Sequence, residues 1–228
     1  MAKFFLGFIV LLGLANTAMA DDAYLREFSR ANGHLRIAVS YLRTGNIDFA
    51  ALELLDSRVI WSRVADLKGA ENLSNIGSKT LLAVDQSLNN IDSGDTKSAR
   101  RQLLAARQDI YLAHVAAGLS PFEDCIWKTI KTGAPIWPFI RNEQKLDNQA
   151  ENDRMVTAVD AYRLSLATCN RNAPAAISSN PEFRRLADSA LASLVKLRDR
   201  VVSRNYGLVF RYLIELRSTD RLLYLKFG

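Results

Sequence analysis

Apolar positions along this chain recur at helical spacing, and strand-like alternation is nearly absent. Over 22–44, Leu35, Val39 and Leu42, with Ile37, Ala38 and Tyr41, fill one broad side of a first helix. Gly45 ends it and Asn46 is placed to cap the next. That second helix runs to about 66, with Phe49, Leu52, Leu55, Val59 and Ile60 expected to face inward. A Gly/Asn/Ser stretch at 69–78 reads as a loop. A third helix covers about 79–92, Gly94 ends it, and Asp95 caps a fourth that runs to about 117.

Beyond 120 the pattern changes. Pro121, Gly133, Pro135 and Pro138 sit among Trp127, Trp137, Phe139 and Ile140. This predicts a short helix around Cys125 and then an irregular, partly buried loop to about 149. Helices follow at about 150–169, 182–204 and 207–226, with Asn180-Pro181-Glu182 fitting an N-cap followed by proline at the first helical position. The chain turns again around Asn205-Tyr206-Gly207. The fold class is therefore all-α, an antiparallel bundle of helical hairpins. Residues 21–119 are expected to form a four-helix bundle, and 120–228 a helical region packed on it.

The first two hairpins repeat. Thr44-Gly45-Asn46 with Ala50 recurs as Ser93-Gly94-Asp95 with Ala99, an offset of 49 residues; Leu54-Leu55 then matches Leu103-Leu104, and Arg58 matches Arg107. Glycine supplies a left-handed turn, Asn or Asp an N-cap, and alanine a close helix approach. Tetratricopeptide arrays use a similar pattern at a period of about 34 residues, which this offset does not match.

Residues 1–20 read as a signal peptide. Lys3 precedes an apolar run from Phe4 to Leu14, Ala18-Met19-Ala20 fits a cleavage site after Ala20, and Asp21-Asp22 begins a polar chain. The run is too short to span a bilayer. Export to the periplasm is the expectation. In an oxidising compartment the two cysteines, Cys125 and Cys169, are expected to form one disulfide.

Charge is uneven. Residues 21–180 hold 19 basic and 19 acidic side chains, whereas 181–228 hold ten basic and five acidic. Arg198, Arg200, Arg204, Arg211, Arg217 and Arg221 lie in that last segment, together with Tyr206, Phe210, Tyr212, Tyr224 and Phe227. Arginine and aromatic residues are enriched at interfaces. Arg204, Arg211, Tyr212, Arg217, Arg221 and Tyr224 are therefore the candidate interaction surface, for an unidentified protein or other anionic partner. Contact with an anionic membrane surface is an alternative. Nucleic acid is not an expected partner outside the cytoplasm.

Candidate chemistry is sparse. There is no Glu-x-x-His, no His-Glu-x-x-His and no Cys/His cluster, so no metal site is expected. Lys131-Thr-Gly133, Ser178-Ser-Asn180 and Ser193-Leu-Val-Lys196 match penicillin-recognising motifs by letter. They run in reverse order and lack a sheet to carry them. No catalytic residues are assigned.

His114 stands out. Over roughly 80–116 the chain has a helix, a glycine turn, Ala99 five residues later, Arg107, Tyr111 and then His114 near a helix end. In this it weakly resembles the soluble periplasmic haem-binding four-helix bundles, cytochrome c-prime and the soluble b-type cytochromes. The resemblance implies an alternative function, haem binding and electron transfer, with His114 as axial ligand. The haem-attachment motif is absent, and Met155 is the one methionine after Ala20. His34 as second ligand would sit roughly 13 Å from His114 along the bundle axis. The leading expectation is a periplasmic, cofactor-free, non-enzymatic binding protein that uses its basic, aromatic C-terminal half.

Overall fold

The chain is all-helical in a computed structural model that describes residues 5–67, 71–142 and 146–228, with side-chain surroundings from Asp21 onward except Glu71 and Asn72. The leader-like stretch 1–20, with its cleavage site, lies outside those side-chain descriptions. Two compact units divide the chain, Met1–Ser120 and Pro121–Gly228.

The first unit contains α1 (Phe5–Thr44), α2 (Ile47–Ala65), α3 (Glu71–Asp92) and α4 (Thr96–Ala116). Each packs on the next, and α4 returns to α1, closing a four-helix ring. The buried positions explain the straight packing. Tyr24, Phe28, Ala31, Leu35, Ala38 and Leu42 on α1 are spaced alternately four and three residues apart; so are Ala50, Leu54, Ser57, Trp61 and Val64 on α2. That mean spacing of 3.5 keeps one seam facing the centre over the full helix length.

The seam of α2 is not the one the hydrophobic pattern predicts. Ile60 is buried, but Phe49, Leu52, Leu55 and Val59 are 58%, 58%, 48% and 60% exposed. The buried face carries Ala50 and Ser57 and so scores as less apolar, yet these small residues let α1 and α2 approach. Ser57 Oγ donates to the Ala31 carbonyl at 3.3 Å. The expected loop at 69–78 is also corrected, because α3 is already helical from Glu71. Gly77 lies inside it, where a Cβ would stand 2.8 Å from Val64 Cγ1 and 2.9 Å from the Ala65 nitrogen. Glycine there serves close helix packing rather than a turn.

The second unit holds α5 (Phe122–Gly133), a 3-10 helix (Ala134–Arg141), α6 (Gln149–Arg171), α7 (Ala175–Ser178), α8 (Pro181–Val202) and α9 (Tyr206–Phe227). The irregular loop expected before 149 is mostly helical, since α5 runs directly into the 3-10 helix. Pro135 at the start of that tighter helix is compatible with it, because its missing N–H lies where no partner is needed. Helix α5 packs on α6, α6 on α8, α8 on α9 and α9 back on α5, a second ring of four. Met155, Val159, Tyr162, Leu166 and Cys169 on α6 repeat the 4-3 spacing, as do Val209, Leu213, Leu216, Asp220 and Leu223 on α9. Cys125 on α5 and Cys169 on α6 form the disulfide, with Cα atoms 5.5 Å apart. Tyr162 fills the centre, and a Cβ on Gly133 would meet its ring at 2.9 Å.

One turn joins three of the hairpins. Gly45 and Gly94 adopt φ of 83° and 81°. The next residue's N–H reaches back five positions, Asn46 to the Tyr41 carbonyl at 3.0 Å and Asp95 to the Asn90 carbonyl at 2.8 Å. This is the glycine-terminated helix end followed at once by a new N-cap. The turn from α8 to α9 has the same geometry: Asn205 N–H reaches the Arg200 carbonyl at 3.0 Å. Its left-handed position, however, is Arg204, with φ of 53°. Ser203-Arg204-Asn205 with Val209 buried four residues on is therefore a third copy of the repeat, written with arginine in place of glycine.

A side chain at a left-handed position costs on the order of 1 kcal/mol. Arg204→Gly is therefore expected to raise the stability of the oxidised protein by about 0.5–1 kcal/mol, net of the added chain entropy of glycine. Gly94→Ala is expected to lower it by a similar amount. Urea denaturation followed by circular dichroism reads both, and an Arg204→Gly midpoint at or below wild type would refute the strain.

Candidate functional site on the last helix

His114 lies fully buried on α4. Its Nε2 pairs with the Tyr24 hydroxyl at 2.6 Å, and its ring stands edge-on to Phe28 at 4.6 Å between centroids. Arg107, also buried, lays its guanidinium over the opposite neighbour, the Phe28 ring, at 5.6 Å. Such a cation over an aromatic face is stabilising where water is excluded. Any ligand role for Nε2 requires the Tyr24 bond to open. His34 is elsewhere: its Nδ1 pairs with Glu53 Oε2 at 2.7 Å. The His114 partner Tyr24 and His34 are ten residues apart on α1, about 15 Å along the helix, so the two histidines are not brought together.

Among the described residues, no group of three or more His, Cys, Asp or Glu side chains is placed to hold a metal ion. A groove between α3 and α4, lined by Ile76, Lys79, Ala83, Gln102 and Asp109 among others, encloses about 200 Å³. Ser193 lies buried within α8 and donates to Glu215 Oε1 at 2.7 Å, which uses its hydroxyl structurally. Lys196 is exposed one turn on.

Helix α9 sorts the C-terminal candidates into two groups. Arg211, Arg217 and Arg221 fall on its outer side with Ser218, and all but the half-buried Arg217 are exposed. Between them lie Phe210 and Ile214, 40% and 49% exposed. The positions 210, 211, 214, 217, 218 and 221 follow helical spacing, so arginines and apolar side chains share one strip about 16 Å long. Tyr212 and Tyr224 belong to the other group. Tyr212 packs against the core, and the Tyr224 ring lies 5.8 Å from that of Trp127. Arg204 is exposed at the hairpin turn, where Nη2 donates to Gln149 Oε1 at 2.7 Å. Ile214 is the member of the strip that sequence reasoning missed. Its signal was the register of α9, in which Leu213 and Leu216 take the buried seam.

The acids of this unit leave the strip positive. Arg198 is held by Asp160 at 3.0 Å and Lys226 by Glu182 at 2.7 Å. Among the described residues, neither Arg211 nor Arg217 has an ion-pair partner. Of the two acids on α9, half-buried Glu215, one turn on from Arg211, accepts from Ser193, and Asp220 points inward and accepts from the Tyr162 hydroxyl. Burial pushes its carboxyl well above the ordinary carboxylate range, which favours the uncharged form. Such a group does little to offset the neighbouring arginines. No helix among the described residues is long and apolar enough to cross a membrane.

The chain matches no protein-family model, and no curated protein or solved structure shows significant similarity to it.

Asp220 also sets a pH dependence. Its folded pKa is raised above the unfolded value near 3.9. Between those values the native state holds a proton that the unfolded state has lost, so its contribution is complete below about pH 4 and declines as pH rises toward the folded pKa. Asp220→Asn keeps an acceptor for Tyr162 and is expected to flatten that decline. Urea midpoints of both proteins across about pH 4 to 8 test this, and parallel profiles would refute it.

Proposed function

We propose that this is an exported, non-enzymatic helical protein that binds an acidic protein partner through the outer face of α9. The observation that carries the reading is the strip in which Phe210 and Ile214 stay solvent-exposed between Arg211, Arg217 and Arg221. Apolar side chains grouped with arginines on one exposed face mark an interaction surface, and arginine is the cation best suited to interfaces because it is weakly hydrated and forks to carboxylates. An interface of this kind uses apolar anchors for affinity and the charges for register and encounter rate. The disulfide between Cys125 and Cys169 supports an oxidising compartment, in keeping with the leader-like first twenty residues.

A photo-crosslinking amino acid at position 214 tests the face in living cells, with position 164 on α6, where Leu164 is also exposed, as control. A discrete protein adduct is expected at 214, absent at 164 and lost when Arg211→Glu and Arg217→Glu are added. No adduct at 214, or one indifferent to charge reversal, would overturn the reading. Salt-sensitive binding of the purified protein to phosphatidylglycerol vesicles, with no protein adduct, would assign the strip to a membrane surface instead.

A further inference from the structure

Helix α2 carries another strip of exposed apolar side chains. Phe49, Leu52, Leu55 and Val59 recur at spacings of three, three and four residues, and each is about half exposed or more. The opposite side of the same helix supplies the bundle seam, so α2 is apolar on two faces. A helix of one bundle needs only one such face. A contiguous exposed patch of this kind marks an interaction surface.

Charge identifies what fits it. Near the strip, Arg58 is taken by Asp85 at 2.6 Å, Arg63 by Glu27 at 3.3 Å, and Glu53 by His34. Two exposed carboxylates remain, Asp48 and Asp56, and neither has an ion-pair partner among the described residues. The face is therefore apolar and acidic. It repels an anionic lipid surface. Two α2 faces packed against each other would bring Asp48 and Asp56 of one copy beside those of the other, and like charges across a contact are costly. The complement is a helix that is apolar and basic.

This chain carries such a helix. The α9 strip runs from Phe210 to Arg221 and the α2 strip from Asp48 to Val59, twelve residues in each case, or about 16 Å. Each places aliphatic and aromatic side chains between charges of one sign, and the signs are opposite. We infer that the α2 face receives the α9 face of a second copy of this chain, so that the protein self-associates through α2-to-α9 contacts. The α9 half of this inference rests on the role proposed for that face above; the α2 half does not. Two such contacts related by a two-fold axis close a dimer, whereas contacts that do not close build a chain of copies.

Sedimentation analysis of the full-length oxidised protein tests this from about 1 μM to about 1 mM. Wild type is expected to associate with rising concentration, more weakly at high salt. Asp48→Lys with Asp56→Lys, and separately Arg211→Glu with Arg217→Glu, are each expected to weaken association at least tenfold, because like charges then face each other. An equimolar mixture of the two variants is expected to recover association, since one contact is unchanged and the other has both signs reversed. Circular dichroism melts matching wild type confirm that these surface changes leave the fold intact. A wild type that stays monomeric to about 1 mM overturns the inference while leaving the position-214 adducts to stand or fall separately. Association retained by either variant, or lost in both and not recovered on mixing, also overturns it.

Discussion

The constraint on which this structure depends is the alternation of four- and three-residue steps between buried positions. It is present on α1 and α2 in the first unit and on α6, α8 and α9 in the second. A mean spacing of 3.5 falls just short of the 3.6-residue turn, so the buried seam drifts slowly and two helices stay in contact along their length at a shallow crossing angle. Long contact requires the connections to reverse the chain within a few residues. The tight turns at Gly45, Gly94 and Arg204 follow from the packing that the seam imposes.

That seam also fixes which polar residues are tolerated inside. Ser57, Thr80 and Ser87 occupy buried positions and spend their hydroxyls on backbone carbonyls, Thr80 on Ile76 at 2.8 Å and Ser87 on Ala83 at 2.7 Å. Asn152 does the same across helices, donating to the Val201 carbonyl at 2.9 Å. Asp220 and His114 each take a tyrosine hydroxyl. A buried polar group is inexpensive only when its partner is placed in advance. The Asn152 and His114 pairs tie α6 to α8 and α1 to α4, neighbours in their rings, while the Tyr162–Asp220 pair crosses the centre of the second ring from α6 to α9.

Much of this was legible in the sequence, and the failures are instructive. The glycine turns, the caps at Asp95 and Asn180 and the inward side of α1 follow from local chemistry; Asn46, expected to cap α2, stands at the cap position but its side chain donates to Thr44 instead of accepting from the helix. Helix α2 misled because hydrophobicity ranked Phe49, Leu52, Leu55 and Val59 above Ala50 and Ser57. The internal repeat held the missing signal. At the offset of 49, buried Ala50 and Leu54 match Ala99 and Leu103, whereas exposed Phe49, Leu52 and Val59 match Ser98, Arg101 and Gln108. Ala50 and Leu54 are apolar and buried in both copies, whereas Leu55, matched by Leu104, is apolar in both and still 48% exposed, so the repeat narrows the seam without fixing it. Gly77 and Gly133 read as breaks, since nothing local reveals that Val64 or the Tyr162 ring occupies the space of a side chain. The His114 pairing with Tyr24 spans 90 residues and has no local trace. The α9 strip was legible as to its arginines but not as to its register.

The disulfide gives the second unit a connection its turns do not supply. Helices α8 and α9 meet across a three-residue step, but α5 and α6 are separated by the 3-10 helix and the residues after it. Cys125 and Cys169, 44 positions apart, join these two helices covalently. Loop closure then no longer has to be won from chain entropy each time the unit folds, an advantage of up to about 4 kcal/mol on the entropic account. In kinetic terms the bond makes the pairing of α5 with α6 a local one, which shortens the effective contact order. The oxidised chain should therefore assemble its second bundle from two prepaired hairpins, and the reduced chain from only one.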